Sequence, residues 1–373
     1  MKILEEGKYD RQERITWWDQ AALSKSRVLV VGAGALGNEI VKNLALVGVG
    51  HISIVDMDLI EHTNLARCVF FRSGDEGKYK SEALADAAKA MNPDVETIAY
   101  SVSVQKLGNA FFQEFDLIVA GLDNREARIW LGASLRRLGI TWIDGAIEGL
   151  MGKVQSFVPD GPCYACSMTE QEWKIMAHRR SCSLLGVEEI LGGHTPTNAT
   201  TSSIIAGMES QEAIKYLVGR RDLAAIENKV FRLIGEQMAT FFSIVDIDEN
   251  CPYHDEMVTP QKSVPMPIKL ADLWKTLELD EADYLSFYDD FVLIKPCLKC
   301  ESLPILGYAD LMKKKGTCTS CGDQRQDKSF SRVSFDDPAS QIELESQYFP
   351  YKSLLQIVGS KSMTISIEGE SIG

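Results

Sequence analysis

Short apolar runs alternate with stretches of helical spacing through the first 246 residues. Residues 27–32, Arg-Val-Leu-Val-Val-Gly, make an apolar run of strand length that ends on glycine, and residues 38–47 continue with a helical period. A second apolar run, 51–56, closes on an aspartate. Residues 80–91 read as a helix, 96–103 and 115–123 as strands, and 125–138 as a helix. Strands follow at 141–147 and 154–159, then a helix at 200–218 and two strands, able to pair antiparallel, within 229–246. Ahead of all these, Ile15, Trp18, Ala22 and Leu23 predict a helix over residues 8–24. The alternation predicts an α/β fold in which a mostly parallel sheet carries helices on both faces. Residues 178–199, rich in Ser, Thr, Gly and Asn, read as a long connection.

The pattern breaks at 257–267, where Thr-Pro-Gln-Lys-Ser-Val-Pro-Met-Pro concentrates three prolines. Helical spacing cannot pass through them. We expect a first domain over residues 1–260 and a small second domain over 268–373, with no internal repeat.

Composition narrows the function. Lys and Arg total 39 against 53 Asp and Glu, a net charge of −14, which disfavours binding to a nucleic-acid backbone. No run reaches the roughly 18 apolar residues of a membrane span. The opening Met1-Lys-Ile-Leu-Glu-Glu lacks the apolar core of a signal peptide. The expectation is therefore a cytoplasmic protein with neither nucleic acid nor membrane as partner. Nine cysteines then stand out, because a reducing compartment favours metal binding or catalysis over disulfides.

Gly32-Ala-Gly34-Ala-Leu-Gly37 follows the first strand, and Asp56 ends the second, nineteen positions after Gly37. A glycine-rich turn brings backbone N–H groups and a helix amino terminus up to a phosphate, and the acid can take ribose hydroxyls. By itself this pattern leaves the nucleotide open, NAD included. The stretch Asp56-Met-Asp58-Leu-Ile-Glu-His-Thr-Asn64-Leu-Ala-Arg67, with Gly77 and Lys80 beyond it, adds cations and an amide that suit a triphosphate better than a dinucleotide.

With these residues the chain resembles the adenylating superfamily that includes ubiquitin-activating enzymes, MoeB and ThiF. Tyr9-Asp-Arg11-Gln12, Asp56-x-Asp58, Asn64-Leu-Ala-Arg67, Gly77 with Lys80, and Asp123-Asn124-Arg125 all match in unbroken order over about residues 8–256. The resemblance implies a Rossmann-like adenylation fold and ATP with Mg2+ as cofactors. Asp56 would bind ribose, Asn64, Arg67 and Lys80 would hold the triphosphate, and Asp123 would bind magnesium. Arg11 would reach the phosphates of a second subunit, which implies a homodimer. Read singly, each cation could be a solvated surface charge, and Asp123 could cap the helix after it.

Seven of the nine cysteines pair at ligand spacing. Cys163-Tyr-Ala-Cys166 and Cys251-Pro-Tyr-His254 are half-sites with two residues between donors, suited to one tetrahedral zinc. Relatives in the superfamily commonly carry a fourth cysteine where this chain has His254. Cys297-Leu-Lys-Cys300 and Cys318-Thr-Ser-Cys321 have seventeen residues between them, the spacing of a zinc ribbon. Two structural zinc sites are expected. Cys68 runs into Val-Phe-Phe and reads as a buried thiol. Cys182, in Arg179-Arg180-Ser-Cys182 beside His178, sits where cations favour a thiolate, and where the superfamily carries its acyl-accepting cysteine. The alternative is a loop cysteine in an enzyme that stops at adenylation.

The resemblance implies ATP-dependent adenylation of the carboxyl terminus of a ubiquitin-like protein, then a thioester on Cys182 and transfer to a conjugating enzyme. A prokaryotic conjugation system suits so short a chain. The other branch activates a sulfur-carrier protein for cofactor or thionucleoside synthesis, and whether Cys182 forms a thioester or an acyl disulfide stays open. A dehydrogenase or an inactive scaffold would share parts of the pattern but not all of it. The second domain either staples itself with zinc or docks a partner.

Overall fold

The computed structural model describes residues 7–168, 173, 196–254, 256–300, 302–312, 317–318 and 320–370. The chain divides into two compact units, Met1–Val102 with Gln113–Met257, and Ser103–Phe112 with Val258–Gly373.

The first unit is built on β1 (Arg27–Val31), β2 (His51–Val55), β3 (Glu96–Tyr100), β4 (Leu117–Ala120), β5 (Trp142–Glu148), β6 (Met151–Phe157), β7 (Lys229–Ile234) and β8 (Ala239–Ile244). They form one sheet in the order β3-β2-β1-β4-β5-β6-β7-β8. The ladders from β3 through β5 are parallel. Those from β5 through β8 are antiparallel. The fold is thus the expected α/β type, with the order reversing between β1 and β4, where open α/β sheets leave a crevice at the strand ends.

Helices α1 (Asp10–Glu13), α2 (Gln20–Leu23), α3 (Ala35–Val47) and α4 (Lys80–Met91) occupy the first part of the unit. Val28, Val30, Ile52, Ile54, Leu117 and Val119 share one core with Leu36, Ile40 and Leu44 of α3 and Leu84 of α4. Each such side chain contributes roughly 1.5–3 kcal/mol on burial. Leu29, Val31 and Ile118 are just as buried but face the other way, because side chains alternate along a strand. That second face is covered by a helix too, since Gly132, in the helix spanning Arg125–Arg137, lies against the ring of Trp142. A parallel sheet requires this double cover, which is why its strands read as unbroken apolar runs.

The helix expected over 8–24 is two single turns, α1 and α2. Asp19 is extended, and its carboxylate accepts the Ala22 N–H at 2.9 Å, so the chain stops and restarts there. Strand and helix ends elsewhere lie within a few residues of expectation.

Among its described residues the second unit has six strands: β9 (Lys262–Pro265), β10 (Tyr284–Ile294), β11 (Ile305–Tyr308), β12 (Asp327–Ser334), β13 (Lys352–Val358) and β14 (Met363–Glu368). Their order is β11-β10-β13-β14-β9, with β12 also on β10. Leu285, Phe291, Phe349, Leu355, Ile357, Ile365 and Ile367 are core to it. β9 lies inside the proline-rich stretch; as an edge strand it can accommodate Pro265, which has no N–H to donate. The unit also holds Ser103–Phe112, a decapeptide between β3 and β4 of the other unit. Lys106 Nζ donates to the Ser346 and Phe349 carbonyls at 2.6 Å each, its own carbonyl accepts Tyr351 N–H at 2.8 Å, and Asn109 donates to Asp289 at 3.1 Å.

Candidate functional site

The three glycines of the turn have different physical reasons. Gly32 has φ +96°, and a Cβ there would lie 2.8 Å from the Gly121 carbonyl oxygen, so the close approach of β1 and β4 ends requires glycine. A Cβ on Gly37 would run into the Gly32 carbonyl. Gly34, the N-cap of α3, would meet nothing within 4 Å, and no side chain caps that helix end. Its glycine keeps open a cradle in front of backbone N–H groups at a helix amino terminus, where phosphate binds readily. Gly37→Ala is expected to lower the melting temperature by several degrees. If the cradle takes a nucleotide phosphate, Gly34→Ala is expected to fold normally yet weaken ATP binding about tenfold or more, as calorimetry with ATP would show; equal ATP affinity would mean the cradle is not used.

Asn38 braces this turn, and the motif pattern did not single it out. Its side-chain amide donates to the Ala33 and Gly34 carbonyls at 2.9 and 3.1 Å, while its oxygen accepts Phe70 N–H at 3.1 Å. The signal is a polar residue among the apolar ones at the start of α3, where Glu39 beside it is buried as well.

Asp56 and the residues after it close over the turn. The Asp56 carboxylate accepts Ala33 N–H at 2.7 Å and Asp58 N–H at 2.8 Å; burial pushes its carboxyl up against the pull of those donors. Asp58 pairs with Lys80 Nζ at 2.9 Å, and a bridge between Leu59 and Tyr79 brings the two segments together. Burial works against the Lys80 ammonium, but Asp58 and Asp56 outweigh it and hold its pKa above the ordinary value. Asn64 is buried in the 3-10 turn His62–Ala66, where its oxygen accepts Glu61 N–H at 2.9 Å. Arg67 ends that turn and donates to the Thr63 carbonyl at 2.6 Å. Cys68 is buried in the core, and burial pushes its thiol up to about 11, which makes it a poor nucleophile.

Asp123 stands exposed just beyond the carboxyl end of β4, at the sheet's reversal point. It does not cap the next helix, α6 once the one-turn α5 (Val104–Leu107) is counted; Asn124 does, accepting the N–H of Glu126 at 2.8 Å. The carboxylate therefore has no local structural duty of that kind, and a hard oxygen donor at this position suits magnesium. The turn, Asp56, Asp58, Asn64, Arg67 and Lys80 are all in the segments that follow β1 and β2, and Asp123 follows their neighbour β4.

Arg11 is elsewhere. Its neighbours Tyr9 and Gln12 are held at the far end of α3: a Cβ on Gly48 would lie 2.7 Å from the Tyr9 hydroxyl, and Gln12 donates to the Val47 carbonyl at 3.0 Å. Thirteen residues at about 1.5 Å each separate that end from Gly34 by about 20 Å. Cys182 and most of the 178–199 connection lie outside the described residues.

The paired cysteines do converge. Cys163 Sγ lies 3.8 Å from Cys166 Sγ and 3.6 Å from Cys251 Sγ, with Cys166 3.2 Å from His254 Nε2. In the second unit, Cys297 lies 3.5 Å from Cys321 and Cys300 3.3 Å from Cys318. All four ligand atoms of each set fall within 4.8 Å of one another. A tetrahedral ion with bonds of about 2.3 Å holds sulfurs about 3.8 Å apart, so both sets fit one. Cys297 and Cys300 sit on the β10–β11 loop and Cys318 and Cys321 between β11 and β12, where Gly322 at φ +75° returns its N–H to the Cys318 carbonyl at 2.8 Å. No helix among the described residues is long and apolar enough to cross a membrane.

The ThiF family profile matches residues 9–253. The chain is 34% identical over 196 residues to the SAMP-activating enzyme E1 of Haloferax volcanii, spanning 52% of this chain and 72% of that one. It is 36% identical over 149 residues to the NEDD8-activating enzyme E1 catalytic subunit of Schizosaccharomyces pombe, spanning 38% and 34% of the two chains. The match therefore covers about a third of that longer relative. Among solved structures, Escherichia coli MccB with ATP shares the fold, with a TM-score of 0.57 at 20% identity over 68% of this chain and 75% of that one.

Proposed function

Because the chain belongs to the ThiF family, we propose that it is an E1-type adenylyltransferase that activates the carboxyl terminus of a ubiquitin-like or sulfur-carrier protein. The observation that carries this reading is the open Gly34 cradle, with Lys80, Arg67 and Asn64 in the segments following β2 and Asp123 following β4. A dehydrogenase needs the turn and Asp56, but not this set of cations and amide.

In the reaction, a carboxylate oxygen of the carrier attacks the α-phosphorus of ATP. The bond to the β-phosphate oxygen breaks, and pyrophosphate leaves with its electron pair. Backbone N–H groups at the start of α3 and the charges of Lys80 and Arg67 stabilise the charge growing on the phosphate oxygens. Asp56, already fixed by two N–H donors, presents its carboxylate to the ribose. Asp123 would hold magnesium, which when bound neutralises phosphate charge. Arg11 sits too far along α3 to serve its own chain's cradle, which supports a homodimer in which it reaches the second site.

Cys182 then attacks the acyl carbon of the adenylate, AMP leaves, and a conjugating enzyme takes the acyl group by thiol exchange. The two four-ligand clusters hold zinc as structural ions. ATP–pyrophosphate exchange should appear only when a carrier protein is added. Intact-mass analysis should then show a carrier adduct on the wild type that thiol reductant removes, and none on Cys182→Ala. Exchange without a carrier sinks the protein-substrate reading; an adduct on Cys182→Ala sinks the covalent step.

A further inference from the structure

Beneath Asp123 lies a buried group that the reaction above does not use. Arg128, in the first turns of α6, is buried, and its Nε donates to both oxygens of Asp144 at 2.9 and 3.0 Å. Its Nη2 donates to two backbone carbonyls, that of Gly145 at 2.9 Å and that of Leu122. The Leu122 carbonyl belongs to the peptide that leads into Asp123. One guanidinium therefore ties the end of β4 to β5 at the residue where the carboxylate emerges.

The setting of Arg128 is built by two further elements. On one side is Tyr164, which stands between the ligands Cys163 and Cys166; its ring lies 5.9 Å from the Arg128 guanidinium carbon and 5.5 Å from Lys153 Nζ. On the other is Glu209 of α7 (Ala199–Leu217), fully buried, with neither carboxylate oxygen hydrogen-bonded among the described residues. A Cβ on Gly145 would collide with that carboxyl group, so glycine at 145 is what lets Glu209 pack against β5. Burial first, and the Asp144 charge second, push the Glu209 carboxyl well up, while Asp144 makes the direct ion pair with the arginine. Isolating an arginine from water costs several kcal/mol unless it is fully paired, and here the pairing reaches into the backbone before Asp123.

We propose that Arg128 is the positioning residue for Asp123, and that the first metal knuckle, through Tyr164, holds Arg128 in place. The proposal rests on Asp123 binding magnesium, as above. Where a packing residue would affect nucleotide affinity generally, a residue that aims Asp123 affects only the part of the affinity that magnesium supplies.

The measurement is calorimetric affinity for ATP with Mg2+ and in Mg2+-free buffer, alongside melting temperature and zinc content, on the full chain. In wild type, Mg2+ tightens ATP binding. Asp123→Ala should abolish that advantage, and if it does not, the magnesium reading itself fails. Given that loss, Arg128→Lys should cut the advantage at least fivefold while Mg2+-free affinity stays within twofold. Tyr164→Leu should cut it severalfold with zinc content intact. Equal losses with and without Mg2+, or no loss in either variant, would overturn the proposal. If Arg128→Lys does not fold, Asp144→Asn keeps the shape and loosens the arginine: a loss confined to the Mg2+ advantage supports the proposal, and an equal loss or none overturns it.

Discussion

Asp123→Ala is expected to lower carrier-dependent ATP–pyrophosphate exchange by at least about a hundredfold, with the melting temperature unchanged within about 2 °C. The large effect follows from charge: a single group aimed at developing charge on a transferring phosphate is commonly worth about two to three orders of magnitude. The small one follows from position. Asp123 is exposed and Asn124 carries the helix cap, so removing the carboxylate leaves the start of α6 satisfied. The pair of outcomes distinguishes a working carboxylate from a structural one. A loss of exchange accompanied by a drop of many degrees would show that Asp123 supports the fold instead.

The second large effect concerns the ribbon. The intact chain should bind two zinc ions, and Cys318→Ser should bind one. Structural zinc contributes on the order of 10 kcal/mol to the small folds it organises. Among the described residues, Val292, Ile294, Met312 and Tyr348 form a small buried apolar cluster beside the ribbon, whereas Leu306 and Tyr308 of β11 join Leu285, Phe291 and Leu355 in a separate, larger core. Amide exchange protection should accordingly be lost at residues 295–300 and 320–326 and kept in β11, β13 and β14. Two zinc ions retained in Cys318→Ser would sink the ligand assignment, and loss of protection throughout the second unit would show that its core depends on the metal.

How much of this could be read in advance depended on how local each cause is. The sheet from β1 to β5 and its helices announce themselves, because a parallel strand buried on both faces must be apolar throughout. The metal clusters do so as well, since two donors on one turn are neighbours in sequence. The helix at 8–24 failed at Asp19, whose extended backbone and side-chain cap outcompeted an apolar period. Asn38, Arg128 and Glu209 had no motif to mark them. Asn38 turns back on the carbonyls of Ala33 and Gly34 and takes the N–H of Phe70, whereas Arg128 and Glu209 take their settings from the ends of β4 and β5, visible only once those strands lie side by side. Ser103–Phe112 was least legible of all, since Lys106 finds its partners about 240 residues later.

That decapeptide changes what kind of object the second unit is. The backbone passes between the units three times, after Val102, after Phe112 and after Met257. A nick in the last passage would leave two polypeptides still clasped, because Ser103–Phe112 remains in the grip of Ser346, Phe349 and Tyr351. The second unit is accordingly not an appendage that can be trimmed or grafted as a cassette. A chain stopped at residue 257 would present Val104, Leu107, Phe111 and Phe112, all buried in the whole protein, to water. Poor solubility of such a fragment would say nothing about catalysis.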